Sequence, residues 1–141
     1  MAASALLNIM VKAAHKAGRS LTRDFGEVEN LQVSRKGPAD FVSNADRNAE
    51  EIIRDELLKA RPTYSFLMEE SGEIKGTDGQ HRWIIDPLDG TTNFVHRYPH
   101  FCVAIALLHH QKPVLAVPFD PVRDELFLAE KGRGATLNGA P

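Results

Sequence analysis

The chain of 141 residues is the length of one domain, or of one lobe of a larger protein, against the usual ~100–200 residues per domain, so repeat arrays and multidomain machines are set aside. Its 43% hydrophobic and 26% charged residues are those of a globular protein and exclude wholesale disorder. With 17 Lys and Arg against 19 Asp and Glu, the net charge of -2 lacks the basic excess that a nucleic-acid backbone calls for.

Leu7, Met10, Ala14, Ala17, Leu21 and Phe25 recur every three or four positions, which predicts an amphipathic helix over residues 2–26. Residues 31–35 alternate apolar and polar, and Lys36-Gly-Pro-Ala-Asp40 then reads as a loop carrying Lys36. Ser43 with Asp46 three residues on resembles a capping box, and Ala49, Ile52, Ile53, Leu57 and Leu58 follow at helical spacing. A second helix is therefore expected from about Ala45 to Ala60, stopped by Pro62.

Short β-rich runs follow at 64–68, 82–86, 101–108, 113–119 and 125–129, with a loop between them at 72–80 and hairpin connections at 109–112 and 120–123. The expected fold is α+β, two N-terminal helices packed on a largely antiparallel sheet. Residues 132–141 read as the middle of a loop-strand-loop passage, so one lobe over 1–141 with a missing C-terminal lobe is expected. The single cysteine, Cys102, lies in an apolar run as a buried structural thiol, and no leader or membrane-length apolar stretch is evident, which together point to a cytoplasmic protein without a membrane ligand.

Chemistry concentrates in Trp83-Ile-Ile-Asp-Pro-Leu-Asp-Gly-Thr-Thr-Asn-Phe-Val95. Asp86 at a strand end and Asp89 beyond a Pro-Leu turn can aim hard oxygen ligands into one volume, which suits Mg²⁺. If a helix starts at Gly90, the free amides of Gly90, Thr91 and Thr92 favour an anion such as phosphate. A plain turn and helix cap explains the same residues equally well. Glu69 and Glu70 end the preceding β-run and lie beside Asp86 if those strands are neighbours; acids closing successive strands are unfavourable unless a cation neutralises them. His96, His100, His109 and His110 lack the paired spacing of a zinc helix, and no Ser-His-Asp set stands out.

From Trp83 to Phe94 the sequence matches the first signature of the inositol monophosphatase family, W-[IV]-[IV]-D-P-[IL]-D-G-T-x-N-F, and it also resembles that family in its Lys36-to-Asp40 loop, in Asp46, and in Glu69-Glu-Ser71. Within the family it is similar to the bacterial extragenic-suppressor (SuhB-like) branch. The resemblance implies a layered α/β sandwich and a Mg²⁺-dependent, lithium-sensitive phosphatase acting on myo-inositol 1-phosphate or a related sugar phosphate through a metal-activated water. It implies that Glu69, Asp86 and the Leu88 carbonyl bind a first Mg²⁺ and that Asp86 and Asp89 contribute to a second. By the same resemblance Asp89, Gly90, Thr91 and Glu69 face the substrate, and Thr91, Glu69 and Asp46 carry the proton chemistry. Lys36, Glu70 and Thr92 support the site.

The family's second signature, W-D-x-x-A-G, has no counterpart, because Trp83 is the only tryptophan. An incomplete fragment acting as a binding or regulatory protein is therefore the other class of function. The resemblance also implies a homodimer and an association with ribosomal RNA transcription complexes. Phosphatases of 3'-phosphoadenosine and fructose 1,6-bisphosphate share related motifs and are the alternatives within the enzyme class.

Overall fold

A computed structural model describes residues 4–28 and 38–141, so Lys36 and the alternating segment 31–35 lie outside the described residues. Helix α1 spans Ala5–Glu27 and begins where Ser4 Oγ accepts the Leu7 N–H at 3.2 Å. Its stripe of Leu7, Met10, Ala14, Ala17 and Leu21 is buried, as the spacing predicts. Phe25 closes the stripe and sets its ring 5.5 Å from Phe94 and 5.1 Å from Phe101.

Helix α2 spans Pro38–Ala60 and starts well before the expected Ala45. Pro38 does not break the helix here. It occupies the first turn, where the fixed proline φ suits a helix and no intrahelical N–H is needed. Ser43 is consequently interior, and its Oγ accepts from Arg47 Nη2 one turn on at 3.2 Å instead of capping. Asp40 is likewise helical, in the first turn, so residues 38–40 of the expected loop belong to the helix, and 36 and 37 lie outside the described residues.

Seven strands form one mixed sheet in the order β2-β1-β3-β4-β5-β6-β7, with β1 Ser65–Met68, β2 Gly72–Ile74, β3 His81–Asp89, β4 Cys102–His109, β5 Lys112–Asp120, β6 Glu125–Glu130 and β7 Gly134–Leu137. A short helix, α3, spans Thr91–Val95 between β3 and β4. Every pairing is antiparallel except β1 with β3, which is parallel and sets Phe66 opposite Trp83 and Met68 opposite Ile85. Strand β2 takes its three residues from the segment expected as a loop, and β7 is the strand of the expected loop-strand-loop passage. Short strands with glycine carry little periodicity, and neighbouring strands recruit them. The β4–β5 hairpin turns on His110 and Gln111, both at positive φ (51° and 66°), the backbone of a tight two-residue turn.

Alternation sorts the sheet into two faces. Trp83, Ile85, Val103, Ile105, Leu107, Leu115, Val117 and Phe119 are buried under α1 and α2. The opposite face carries Ile84, Ala104, Ala106 and Ala116, half-buried, and Leu67 and Phe127, 39% and 41% exposed. No helix among the described residues is long and apolar enough to cross a membrane.

The helix layer sits close to the sheet because Gly18 on α1 faces Phe119 on β5. A Cβ at position 18 would lie 2.6 Å from the Phe119 ring and 3.1 Å from Pro121 Cβ. Gly18→Ala is expected to cost about 1–3 kcal/mol, the usual range for overpacking. Urea unfolding checks this, and an unchanged midpoint would contradict the contact.

Candidate active site

The parallel pairing of β1 with β3 brings two strand ends out side by side. Because Met68 pairs with Ile85, the next residues, Glu69 and Asp86, fall together, and their side chains share a hydrogen bond. Asp46 reaches the same point from α2. Its carboxylate, with those of Glu69 and Glu70, offers oxygens that all lie within 4.8 Å of one another. Asp46 is 4% exposed, and its Oδ1 has no hydrogen-bond partner; the buried Oδ1 of Asp86 also has none.

Beyond Asp86 the strand bulges. Asp86 pairs with Ala104 and Asp89 with Cys102, so three steps on β3 oppose two on β4, with Pro87 and Leu88 buried in the excess. Asp89 is thereby exposed at the strand end, its Oδ2 4.0 Å from Cys102 Sγ. The chain then reverses through Gly90 at φ 103°, ψ 37°. A Cβ there would stand 3.0 Å from the His100 carbonyl, so glycine is needed both for the dihedral and for the space.

Thr91 opens α3, and Thr92 beside it is exposed. The Phe94 N–H donates to the Gly90 carbonyl at 3.0 Å, and Asn93 Nδ2 donates to the His100 carbonyl at 2.8 Å, which ties the short helix to the chain returning into β4. Phe94 is fully buried against Phe25 and Phe101. A cavity of about 440 Å³ opens next to Asp89, Gly90 and Cys102 and extends to Arg123 and Phe127.

Electrostatics express the crowding. Burial, followed by the charges of Glu69 and Glu70, pushes the Asp46 carboxyl up to about 7. The hydrogen bond with Asp86, then burial and the neighbouring acids, pushes Glu69 up to about 7. Burial, with Asp89, Asp86 and Asp120 nearby, raises the Cys102 thiol to about 11, so it stays protonated and is no nucleophile at neutral pH. These acids form an all-oxygen donor set with two buried, unpartnered oxygens. Such a set fits a hard divalent cation, whose charge would relieve the repulsion.

Of the residues singled out in the sequence, Asp46, Glu69, Glu70 and Asp86 meet in one cluster, and Leu88, Asp89, Gly90, Thr91 and Thr92 continue from it along the bulge and α3. Among the described residues no other three His, Cys, Asp or Glu side chains converge in this way. His96 and His100 are exposed, and His109 stacks on His81 at 4.4 Å at the far end of β3. Glu50 and Asn93 were not singled out. Glu50, 3% exposed, accepts the Glu70 N–H at 2.9 Å and the Ser71 hydroxyl at 2.7 Å. Its place four residues after Asp46, on the same helical face, was the available signal.

The site sits on a fold shared with known proteins. The chain belongs to the inositol monophosphatase family, whose model matches residues 2–141. It is 68% identical to Inositol-1-monophosphatase of Rhizobium meliloti (strain 1021), over 98% of this chain and 52% of that protein. It is 48% identical to Nus factor SuhB of Escherichia coli (strain K12), over 95% of this chain and 50% of that protein. The crystal structure of extragenic suppressor protein SuhB from Bartonella henselae superposes with a TM-score of 0.88 at 64% identity, covering 97% of this chain and 53% of that one. The chain thus spans about half the length of the curated relatives it matches.

A pH dependence follows from the raised carboxyls. A group whose value is higher folded than unfolded contributes stability that is full below its unfolded value, about 4, and lost as pH rises through the folded one. With Asp46 and Glu69 both near 7, the EDTA-treated chain is expected to lose thermal stability between pH 5 and 8. Asp46→Asn should flatten that slope, and Mg²⁺ should stabilise the chain more at pH 8 than at pH 5. Melting temperatures that rise over this interval without metal would contradict the assignment.

Proposed function

We propose that this chain is the N-terminal lobe of a Mg²⁺-dependent phosphatase that hydrolyses the phosphate monoester of myo-inositol 1-phosphate or a related sugar phosphate. The observation that carries the reading is the pair of buried, unpartnered oxygens on Asp46 and Asp86, set beside Glu69 and Glu70 at the head of the Asp86-to-Phe94 motif. Family membership and the names of the relatives support it.

In this reading Glu69, Asp86 and the Leu88 carbonyl hold one Mg²⁺, and Asp86 and Asp89 contribute to another. Leu88 suits that part because it falls in the register shift between the paired residues Asp86 and Asp89. When bound, the ions activate water, neutralise the ester's charge and stabilise the leaving alkoxide. Gly90 and Thr91 hold the phosphate at the start of α3, with Thr92 beside them. The Thr91 hydroxyl, with Glu69 and Asp46, accepts and passes on the proton of the attacking water. Asp89, exposed beside the 440 Å³ cavity, faces the leaving-group alcohol. The relative named Nus factor SuhB favours a second reading, in which the chain binds a protein of a transcription complex.

Phosphate release from inositol 1-phosphate, followed with Mg²⁺, with EDTA and with added lithium, tests the reading in the chain and in a protein extended by the second lobe. Mg²⁺-dependent release that disappears in Asp86→Ala is expected of the extended protein. Release that persists in EDTA or in Asp86→Ala would overturn the assignment. Asp89→Asn should weaken Mg²⁺ binding by at least about ten- to a hundredfold, since an amide replaces a charged ligand, with little change in melting temperature. Thr91→Ala should lower turnover by about a hundredfold or more while leaving Mg²⁺ affinity near wild type. A loss of metal affinity alone would remove Thr91 from the proton path.

A further inference from the structure

We infer that Glu50 is a positioning residue for the metal site, a buried carboxylate on α2 that clamps the turn carrying Glu69 and Glu70 in place against Asp86. The inference rests on the Mg²⁺ reading above and deepens it. Residues 69–71 form the three-residue connection between β1 and β2, with Met68 paired to Gly72 across it. Both acids of this turn are exposed, and each repels the other, so the turn has little of its own to fix its direction. Glu50 supplies that direction. One carboxylate oxygen accepts the backbone N–H of Glu70 at 2.9 Å, and the other accepts the Ser71 hydroxyl at 2.7 Å.

Helix α2 thus presents two acids, Asp46 and Glu50, from one face to one corner of the sheet, and they do different work. Glu50 has both oxygens occupied by the turn, whereas Asp46 keeps one oxygen without a partner. A carboxylate at 3% exposure with two neutral donors, and no ion-paired cation among the described residues, is expensive to bury. A glutamine would accept from the Glu70 N–H and meet the Ser71 hydroxyl without that cost. Arg47 and Arg54 line the cavity beside Glu50, and a divalent cation at Asp46, Glu69 and Glu70 would add a further positive charge within reach of it. Glu50 then acts in two ways: through the hydrogen bonds that fix the turn, and through a negative charge that adds to the field at the ion.

The test uses the chain itself, with Mn²⁺ alone as the probe, its binding followed by electron paramagnetic resonance, together with amide hydrogen exchange at Glu70 and thermal melting. The variants are Glu50→Ala, Glu50→Gln and Ser71→Ala, with Asp86→Ala as the site control and Leu57→Ala as a control that loosens the packing of α2 two turns away. Glu50→Ala is expected to weaken Mn²⁺ by tenfold or more and to speed exchange of the Glu70 amide by at least tenfold. Glu50→Gln should keep the Glu70 amide protected yet bind Mn²⁺ at least threefold more weakly, which separates charge from folding. Leu57→Ala should lose melting temperature and keep its Mn²⁺ affinity. Wild-type affinity in both Glu50→Ala and Glu50→Gln, alongside loss in Asp86→Ala, would overturn the role of Glu50 and leave the metal site standing. An unaltered Glu70 amide in Glu50→Ala would overturn the clamp. If the wild-type chain binds no Mn²⁺, the metal reading falls, and the role of Glu50 toward the metal falls with it.

Discussion

Four carboxylates from three elements occupy one small volume, and like charges at such range repel unless the scaffold holds them. What holds them here is the single parallel pairing in the sheet. Strands β1 and β3 run the same way, so they end at the same edge, and the Met68–Ile85 pair delivers Glu69 to Asp86. An antiparallel arrangement would have sent the two acids to opposite ends of the sheet. Hydrophobic burial of Phe66, Met68, Trp83 and Ile85 fixes that register, since a one-residue slip would turn every one of these side chains to the other face.

The remainder of the site is built on irregular backbone that the core pins down. Pro87 and Leu88 make the bulge, and their burial anchors it while Asp89 is turned outward. The short helix α3 is too brief to persist alone. It is held by the buried Phe94, packed among Phe25 and Phe101, and by the Asn93 bond to the His100 carbonyl. Phe25 is the last turn of α1, so the far end of the first helix reaches the helix that bears Thr91. Asp46 on α2 and Asp86 on β3 thus stand on regular elements, Glu69 and Glu70 on the turn that leaves β1, and Gly90 and Thr91 on a tightly packed turn.

Much of the site was legible because its residues are adjacent in sequence and chemically distinctive. The run from Asp86 to Thr92 announces itself by composition, Glu69 and Glu70 stand out as acids closing a β-run, and Asp46 as the acid three residues after Ser43. Glu50 passed unnoticed because its signal is positional. A glutamate in the middle of a helix is ordinary until the turn that it holds is seen beside it. In α2 local signals mislead at the start alone: a Gly-Pro pair reads as a loop where the proline lies in the first helical turn, and Ser43 reads as a cap where it lies inside the helix.

The sequence by itself determined the two amphipathic helices, the strands β1, β3, β4, β5 and β6 and the identity of the acids, because each depends on periodicity or residue type within a short window. Tertiary structure alone decided that β1 and β3 are parallel, that β2 is a strand at all, and that Asp46 from α2 meets Glu69 from the turn after β1 and Asp86 from β3. These outcomes depend on contacts between residues far apart in the chain, whose free energy comes from burying shared apolar surface. No local pattern records which surfaces will be shared.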